Sequence, residues 1–366
     1  MKRALLVEVL RDPGQVSGFA PAQWELLLRQ ARSAGLHGAL PIVLDDAGIE
    51  APAAPRAHLD WMRVVARHHG DSMRNEVRLI ANALGGTAPL LLLKGAAYLM
   101  AGLSTARGRL FGDVDILAPK ESLPAVERAL VLQGWAATHH DAYDQRYYRE
   151  WMHELPPLEH MHRGTAIDVH HAILPETAAL RPDPARLRAC AVPIAWPGAM
   201  AGERPLHVLA PADMVLHSAV HLFWDGEFDH GLRDLFDLHR LLAEFGSRPG
   251  FWDGLPARAH ELELTLPLFY ALRYTARLLG TPVPAAVTAQ LAAAAPNRAR
   301  LALMDALFLR ALLPMHASCA DAFDQLARFA LYVRGNWLRM PPLLLARHLF
   351  HKAFLSPRRP AGSDDA

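Results

Sequence analysis

The chain has 366 residues, 52% hydrophobic and 20% charged, with a formal net charge of +1. That length and composition allow about two or three domains around a sizeable core and exclude wholesale disorder. The near-neutral balance excludes a general nucleic-acid coat, and two cysteines, Cys190 and Cys319, exclude a disulfide framework and suit a reducing cytosol.

The N-terminal MKRALLVEVLRDPG is basic and then apolar, but Glu8 and Arg11 interrupt the apolar run too early for a signal peptide. No window approaches the ~18 uninterrupted apolar residues of a membrane span, so a cytoplasmic protein is expected. Residues 1–86 read as helical. Pro21 suits the first turn of a helix running to Ala34, with Trp24, Leu27, Leu28 and Ala31 at helical spacing. A second apolar repeat of three and four runs from Ala57 to Leu84, and Gly85-Gly86-Thr87-Ala88-Pro89 breaks it.

The texture then changes. LLLL at 90–93 predicts a short buried strand, followed by Lys94-Gly95 and a short helix, AAYLMAGL. FGDVDILA predicts a strand, Glu121 to Gln133 a helix, residues 143–149 and 153–160 two strands, and TAIDVHHAI at 165–173 another. From Arg204 onward helices are predicted at 211–224, 229–245, 256–279, 283–293, 297–313 and 321–335. The expected class is α+β: a small mixed β-sheet core over residues 87–203, an N-terminal helical region over 1–86 and a C-terminal helical domain over 204–355. The tail, 356–366, is expected to be disordered.

Asp113 and Asp115 stand two apart in a strand, so both face one way while Val114 and Ile116 face a core. In TAIDVHHAI, Asp168 and His170 alternate with Ile167 and Val169 in the same manner, which puts Asp168 on an open face. A neighbouring strand would bring it beside the first two aspartates. Three converging carboxylates repel one another, and oxygen-rich sites of that kind suit Mg²⁺ or Mn²⁺. Two such ions can stabilise the attacking and leaving oxygens of a phosphoryl displacement.

LLLKGAAYL, RGRLFGDVDILA and AIDVHH, spread over residues 88–173, resemble the DNA polymerase β-like nucleotidyltransferase superfamily, above all its bacterial branch of uncharacterised nucleotidyltransferases. A weaker echo continues through PADMVLHSAVH and LRDLFDLHRLL. The resemblance implies a nucleotidyltransferase core that moves an NMP from an NTP, with ATP the expected donor, to an acceptor and releases pyrophosphate. By position, Gly95 opens a helix beside the triphosphate, and Asp113 and Asp115 share Mg²⁺ or Mn²⁺. Asp168 is the third carboxylate, binding the catalytic ion and helping the acceptor oxygen lose its proton. The residue after Gly95 is Ala96, where the superfamily carries Gly or Ser. Lys94 and Arg109, both cationic and flanking the motif, are candidates to contact phosphate in compensation. Lys94 reads equally as a solvated strand end, and Arg109 as a partner that orients a carboxylate.

The superfamily modifies small molecules such as antibiotics, proteins and RNA ends. The net charge favours a small molecule, peptide or protein as acceptor over nucleic acid. A non-catalytic nucleotide- or partner-binding protein on the same fold is the alternative that Ala96 motivates.

Asp213, His217 and His221 lie on one face of the helix at 211–224, with Arg233, Asp234 and Asp237 on the next. One reading is a helical His/Asp metal phosphohydrolase with His139-His140-Asp141 as its central pair, although that triplet falls in a loop. The other has His217 and Asp237 bracing the helices against the sheet or lining a cleft. His160-x-His162 and His170-His171 offer further metal ligands, with His170 the better placed near substrate. From Gln325 to Gly362 there are seven Lys or Arg and no acidic residue. This reads as a solvated basic face, a membrane-surface helix or a platform for an anionic acceptor.

Overall fold

A computed structural model describes residues 4–87, 89–138, 141–195 and 205–347. His139, His140, Lys352 and the tail 356–366 lie outside the described residues.

The chain begins with α1 (Leu5–Arg11), α2 (Pro21–Ser33), α3 (Ala39–Asp46) and the long α4 (Ala53–Leu84). Proline at the first position of α2 spends no hydrogen bond, and the Ala20 amide donates to the Gln23 side chain at 3.1 Å. On α4, Met73, Val77, Ile80 and Leu84 repeat at three and four and are buried, so the helix is held by one apolar stripe.

Among the described residues the sheet has seven strands: β1 (Leu91–Leu92), β2 (Asp113–Leu117), β3 (Trp135–Ala137), β4 (Leu158–His160), β5 (Ala166–His170), β6 (Val192–Ile194) and β7 (Leu206–Val208). Their order is β3-β4-β5-β2-β1-β7-β6. The pairs β2–β5 and β1–β7 are parallel and the rest antiparallel, so the fold is α+β with a mixed sheet. Helix α5 (Lys94–Met100) leaves β1 directly, α6 (Leu123–Leu132) follows β2, α7 (Ala142–Arg146) lies between β3 and β4, and α8 (Pro184–Ala189) precedes β6. Helices α9 (Pro211–Trp224), α10 (Gly231–Gly246), α11 (Phe251–Glu261), α12 (Thr265–Tyr274), α13 (Ala285–Gln290), α14 (Arg298–Ala311) and α15 (Asp324–Arg339) follow, and residues 342–347 are helical as well.

Two sequence expectations are corrected here. Residues 143–149 are helical, α7 continuing as a wider turn through Tyr147–Trp151, not a strand. Their aromatic content suggested β structure, but Tyr143, Tyr147 and Trp151 repeat every four, and both tyrosine rings meet Trp151 edge-on at 5.9 and 6.1 Å. The helix expected over 256–279 is broken. Glu263 turns left-handed (φ 60°), and the Leu264 amide reaches back to the Ala259 carbonyl at 2.7 Å, which closes α11 before α12 begins.

α12 is tied to α14 by one carboxylate. Arg273 donates to both oxygens of Asp305 at 2.8 and 2.5 Å, Tyr274 Oη donates at 3.0 Å and Arg277 at 2.6 Å. Burial alone would raise the Asp305 pKa, but these donors bring it from 3.8 down to about 2. A carboxyl whose folded pKa is depressed adds stability above its unfolded pKa, and that stability is lost as pH falls through the folded value. Asp305→Asn is therefore expected to cost about 1–2 kcal/mol at neutral pH and almost nothing below pH ~2. Urea titrations at the two pH values check this; an equal loss at both would contradict it.

Candidate active site

Parallel pairing of β2 with β5 sets Asp113 opposite Ala166, Asp115 opposite Asp168 and Leu117 opposite His170. Opposed residues share a face, so Asp115, Asp168 and His170 come together, with their ligand atoms within 4.8 Å of one another. Asp113, the first residue of β2, is exposed, whereas Asp115 is only 2% exposed. The open face expected for both aspartates is thus roofed over the second. Lys94 and His170 contact its carboxylate, and the buried His217 is near enough to feel the charges of Lys94 and Asp115.

Lys94 sits at the β1–α5 junction with φ 45°, a left-handed conformation that a non-glycine residue adopts at a cost. Two contacts to one residue hold it there: the Leu93 amide donates to the Asp115 carbonyl at 2.9 Å, and Lys94 Nζ donates to Asp115 Oδ1 at 2.8 Å. Lys94 is therefore no solvated strand end. Burial by itself would discharge its ammonium, but Asp115 outweighs burial and holds the pKa above its ordinary value. Burial likewise opposes ionisation of Asp115, and Lys94 and His170 together hold its carboxyl well below the usual range.

His170 lies between two carboxylates, with Nε2 at 3.0 Å from Asp115 Oδ1 and Nδ1 at 3.1 Å from Glu154 Oε2. Burial works against its charged form, yet the hydrogen bond to Asp115 and the charge of Glu154 raise its pKa. Burial, then the charges of Asp115 and Glu154, push Asp168 up to about 7. A carboxyl crowded by other carboxylates is one that a bound cation would relieve.

Glu154 and its neighbour His153 are residues that sequence reasoning missed. With Leu158 opposite Ile167, continued register would put Leu155 opposite His170. Instead Glu154 bridges His170. The one-residue slip falls across Pro156-Pro157, which have no amide hydrogen for a ladder, and it turns Glu154 rather than Leu155 to the face of His170. His153 stacks on the His170 ring with centroids 5.3 Å apart. A Pro-Pro pair inside a predicted strand was the available signal.

Arg109 ion-pairs with Asp237 of α10 rather than with a strand carboxylate, and its guanidinium lies 5.9 Å from the Tyr98 ring centroid. Glycine at position 95 keeps this packing close. A Cβ there would meet Arg109 Nε at 3.1 Å and Phe111 Cδ1 at 3.2 Å. Lys94, Gly95, Arg109, Asp113 and Asp115 all line one cleft of ≈ 360 Å³, whose far wall carries Ser218 and Asp234 from α9 and α10. That volume lies within the range of small-ligand sites.

The helical histidines do not converge. Asp213 turns away to Arg258, and His221 pairs with Asp225 at 2.6 Å. Among the described residues the groups able to hold a metal are Asp115, Asp168 and His170, and His153, Glu154 and His170. Neither takes a ligand from α9, so the helical phosphohydrolase reading has no ligand set there. Asp237 does line the cleft, and His217 is buried. His160 is structural: its Nδ1 accepts the amides of His162 and Arg163 at 3.2 and 3.3 Å, and its ring packs edge-on to Trp135 at 4.8 Å.

The family model of the uncharacterised nucleotidyltransferases matches residues 20–280. The chain belongs to that family. No curated protein and no solved structure matches it. The family match covers the sheet, the cleft and helices α2 to α12, and leaves out α1, α13, α14 and α15. Membership makes nucleotidyl transfer the general activity. No helix among the described residues is long and apolar enough to cross a membrane.

Proposed function

We propose that this nucleotidyltransferase moves an NMP, with ATP the expected donor, to a hydroxyl of a small molecule, peptide or protein and releases pyrophosphate. The observation that carries the reading is the pairing of Asp115 with Asp168 beneath Lys94, with Asp113 exposed at the cleft. Hard divalent cations take carboxylate oxygens, and this donor set fits them: burial and then the neighbouring carboxylates press the carboxyl of Asp168 toward neutrality. Asp113, Asp115 and Asp168 would hold Mg²⁺ or Mn²⁺, which when bound supplies charge stabilisation at the attacking and leaving oxygens.

The chain's own groups do the positioning. Lys94 and Arg109 line the cleft as cations and would hold the triphosphate, in place of the hydroxyl missing at Ala96. Gly95 keeps the α5 start free of a side chain so that Arg109 can lie against it. Asp168 accepts the acceptor's proton, and His170 steadies Asp115 through Oδ1. Catalysis then rests on orientation and charge, as phosphoryl transfer requires.

Incubation with α-labelled ATP, Mg²⁺ and a pool of cell-extract acceptors is expected to label an acceptor, and Asp113→Asn to prevent it. No transfer with any nucleotide or divalent ion by folded protein would sink the enzyme reading and leave the non-catalytic binder. The contact of Lys94 with Asp115 is the observation favouring that alternative, because the ammonium already neutralises one carboxylate.

Helix α15 adds a surface partner to this proposal. On α15, Leu326, Phe329, Val333 and Trp337 repeat at three and four and are 45–63% exposed, and Arg339 and Arg347 follow in a stretch without acids. An apolar stripe beside arginines suits an anionic membrane surface. Co-sedimentation with phosphatidylserine vesicles is expected, weakened by salt and lost in Phe329→Ser/Trp337→Ser. Binding unchanged in that variant would remove the assignment.

A further inference from the structure

Beside the carboxylate pair, on the other edge of His170, lies a donor set of different chemistry. The Nδ1 of His170 faces Glu154 Oε2 at 3.1 Å, and His153, stacked on the same ring, completes a group whose ligand atoms lie within 4.8 Å of each other. The Nδ1 of His153 is buried and has no hydrogen-bond partner among the described residues, although polar atoms buried in a protein ordinarily find one. We propose that His153, Glu154 and His170 form a second cation site, selective for a divalent transition metal of the zinc class.

Three arguments support it. Two imidazoles and one carboxylate are the borderline donors that zinc-class ions prefer, whereas Mg²⁺ and Ca²⁺ take oxygen. Donor atoms bonded tetrahedrally at ~2.0–2.1 Å stand roughly 3.3 Å apart, close to the spacing of His170 Nδ1 and Glu154 Oε2. Finally, a histidine that binds metal through one nitrogen characteristically donates the other N–H to a carboxylate, and His170 Nε2 lies 3.0 Å from Asp115 Oδ1. A metal on Nδ1 would lock that tautomer and orient Asp115. Three protein ligands leave a position open for water or an acceptor oxygen, as in catalytic rather than structural sites.

The site does not depend on the nucleotidyl-transfer reading, because metal retention is measured without nucleotide or acceptor. The full chain, stripped with a chelator and dialysed against Zn²⁺ in excess Mg²⁺, is expected to keep about one equivalent. Substituting Co²⁺ should give shifted imidazole proton resonances. His153→Ala and Glu154→Gln should each weaken Zn²⁺ binding at least about 100-fold, with unfolding midpoints of the metal-free proteins recorded to show that both fold. Asp113→Asn should bind Zn²⁺ like wild type. Zinc not retained by the wild-type chain, or retained equally by both ligand variants, would overturn the proposal.

Discussion

Asp113→Asn is expected to lower nucleotidyl transfer about 1,000-fold while leaving the unfolding midpoint unchanged. The size follows from charge: a carboxylate that holds a catalytic cation supports several kcal/mol of transition-state stabilisation, and each 1.36 kcal/mol is tenfold in rate. The neutral stability follows from position. Asp113 opens β2 at the surface, and surface substitutions away from special features stay within about 0.5 kcal/mol. The neighbouring Asp115→Asn would lose the same activity but would not isolate it. Lys94 and His170 both contact Asp115 Oδ1, so the amide would remove from a buried site the one anion that both of them touch. Comparing the two variants by transfer rate and by urea unfolding therefore separates catalysis from folding. Full activity in folded Asp113→Asn would exclude it as a metal ligand.

Arg258→Met is expected to destabilise the protein by about 3–5 kcal/mol, the largest folding effect proposed for this chain. Asp213 is fully buried on α9. Arg258 of α11 meets it with two parallel bonds, Nε to Oδ1 at 2.7 Å and Nη2 to Oδ2 at 2.8 Å. Methionine keeps much of the side-chain volume but leaves a buried carboxylate without a counter-charge. Adding Asp213→Asn should recover part of the loss, because the uncompensated charge is then gone. The check is the urea midpoint at constant slope; a single variant as stable as wild type would show that water reaches Asp213. α9 also carries Ser218 to the cleft wall, so the clamp bears on the site as well as on the core.

Several features were legible because they are local. The period-two alternation in GDVDIL and AIDVHH shows which side chains of each strand travel together, since a strand turns successive residues to opposite faces. The repeat of three and four between Ala57 and Leu84 shows an amphipathic helix for the same kind of reason. A Lys-Gly step before an Asp-x-Asp strand, followed by the patterned aspartate of AIDVHH, suggested the family, and the family model spans residues 20–280. Elements of two or three residues, such as β3, β6 and β7, carry too few periods to be read.

What needed the tertiary structure is everything that depends on pairing between distant segments. No periodicity states that Asp115 faces Asp168 rather than its neighbour; the β2–β5 register does, across more than fifty residues. A slip of one residue at Pro156-Pro157 exchanged Leu155 for Glu154 opposite His170, and so brought in an acid that local pattern placed nowhere near the site. The partner of Arg109 came from α10, and that of Asp213 from α11. The pairing of Asp113 with Asp115 thus has two origins. Their shared face is a property of the strand, set by alternation alone. That one is solvent-exposed and the other buried against a lysine and a histidine is a property of packing, because burial is decided by what other segments lay on top.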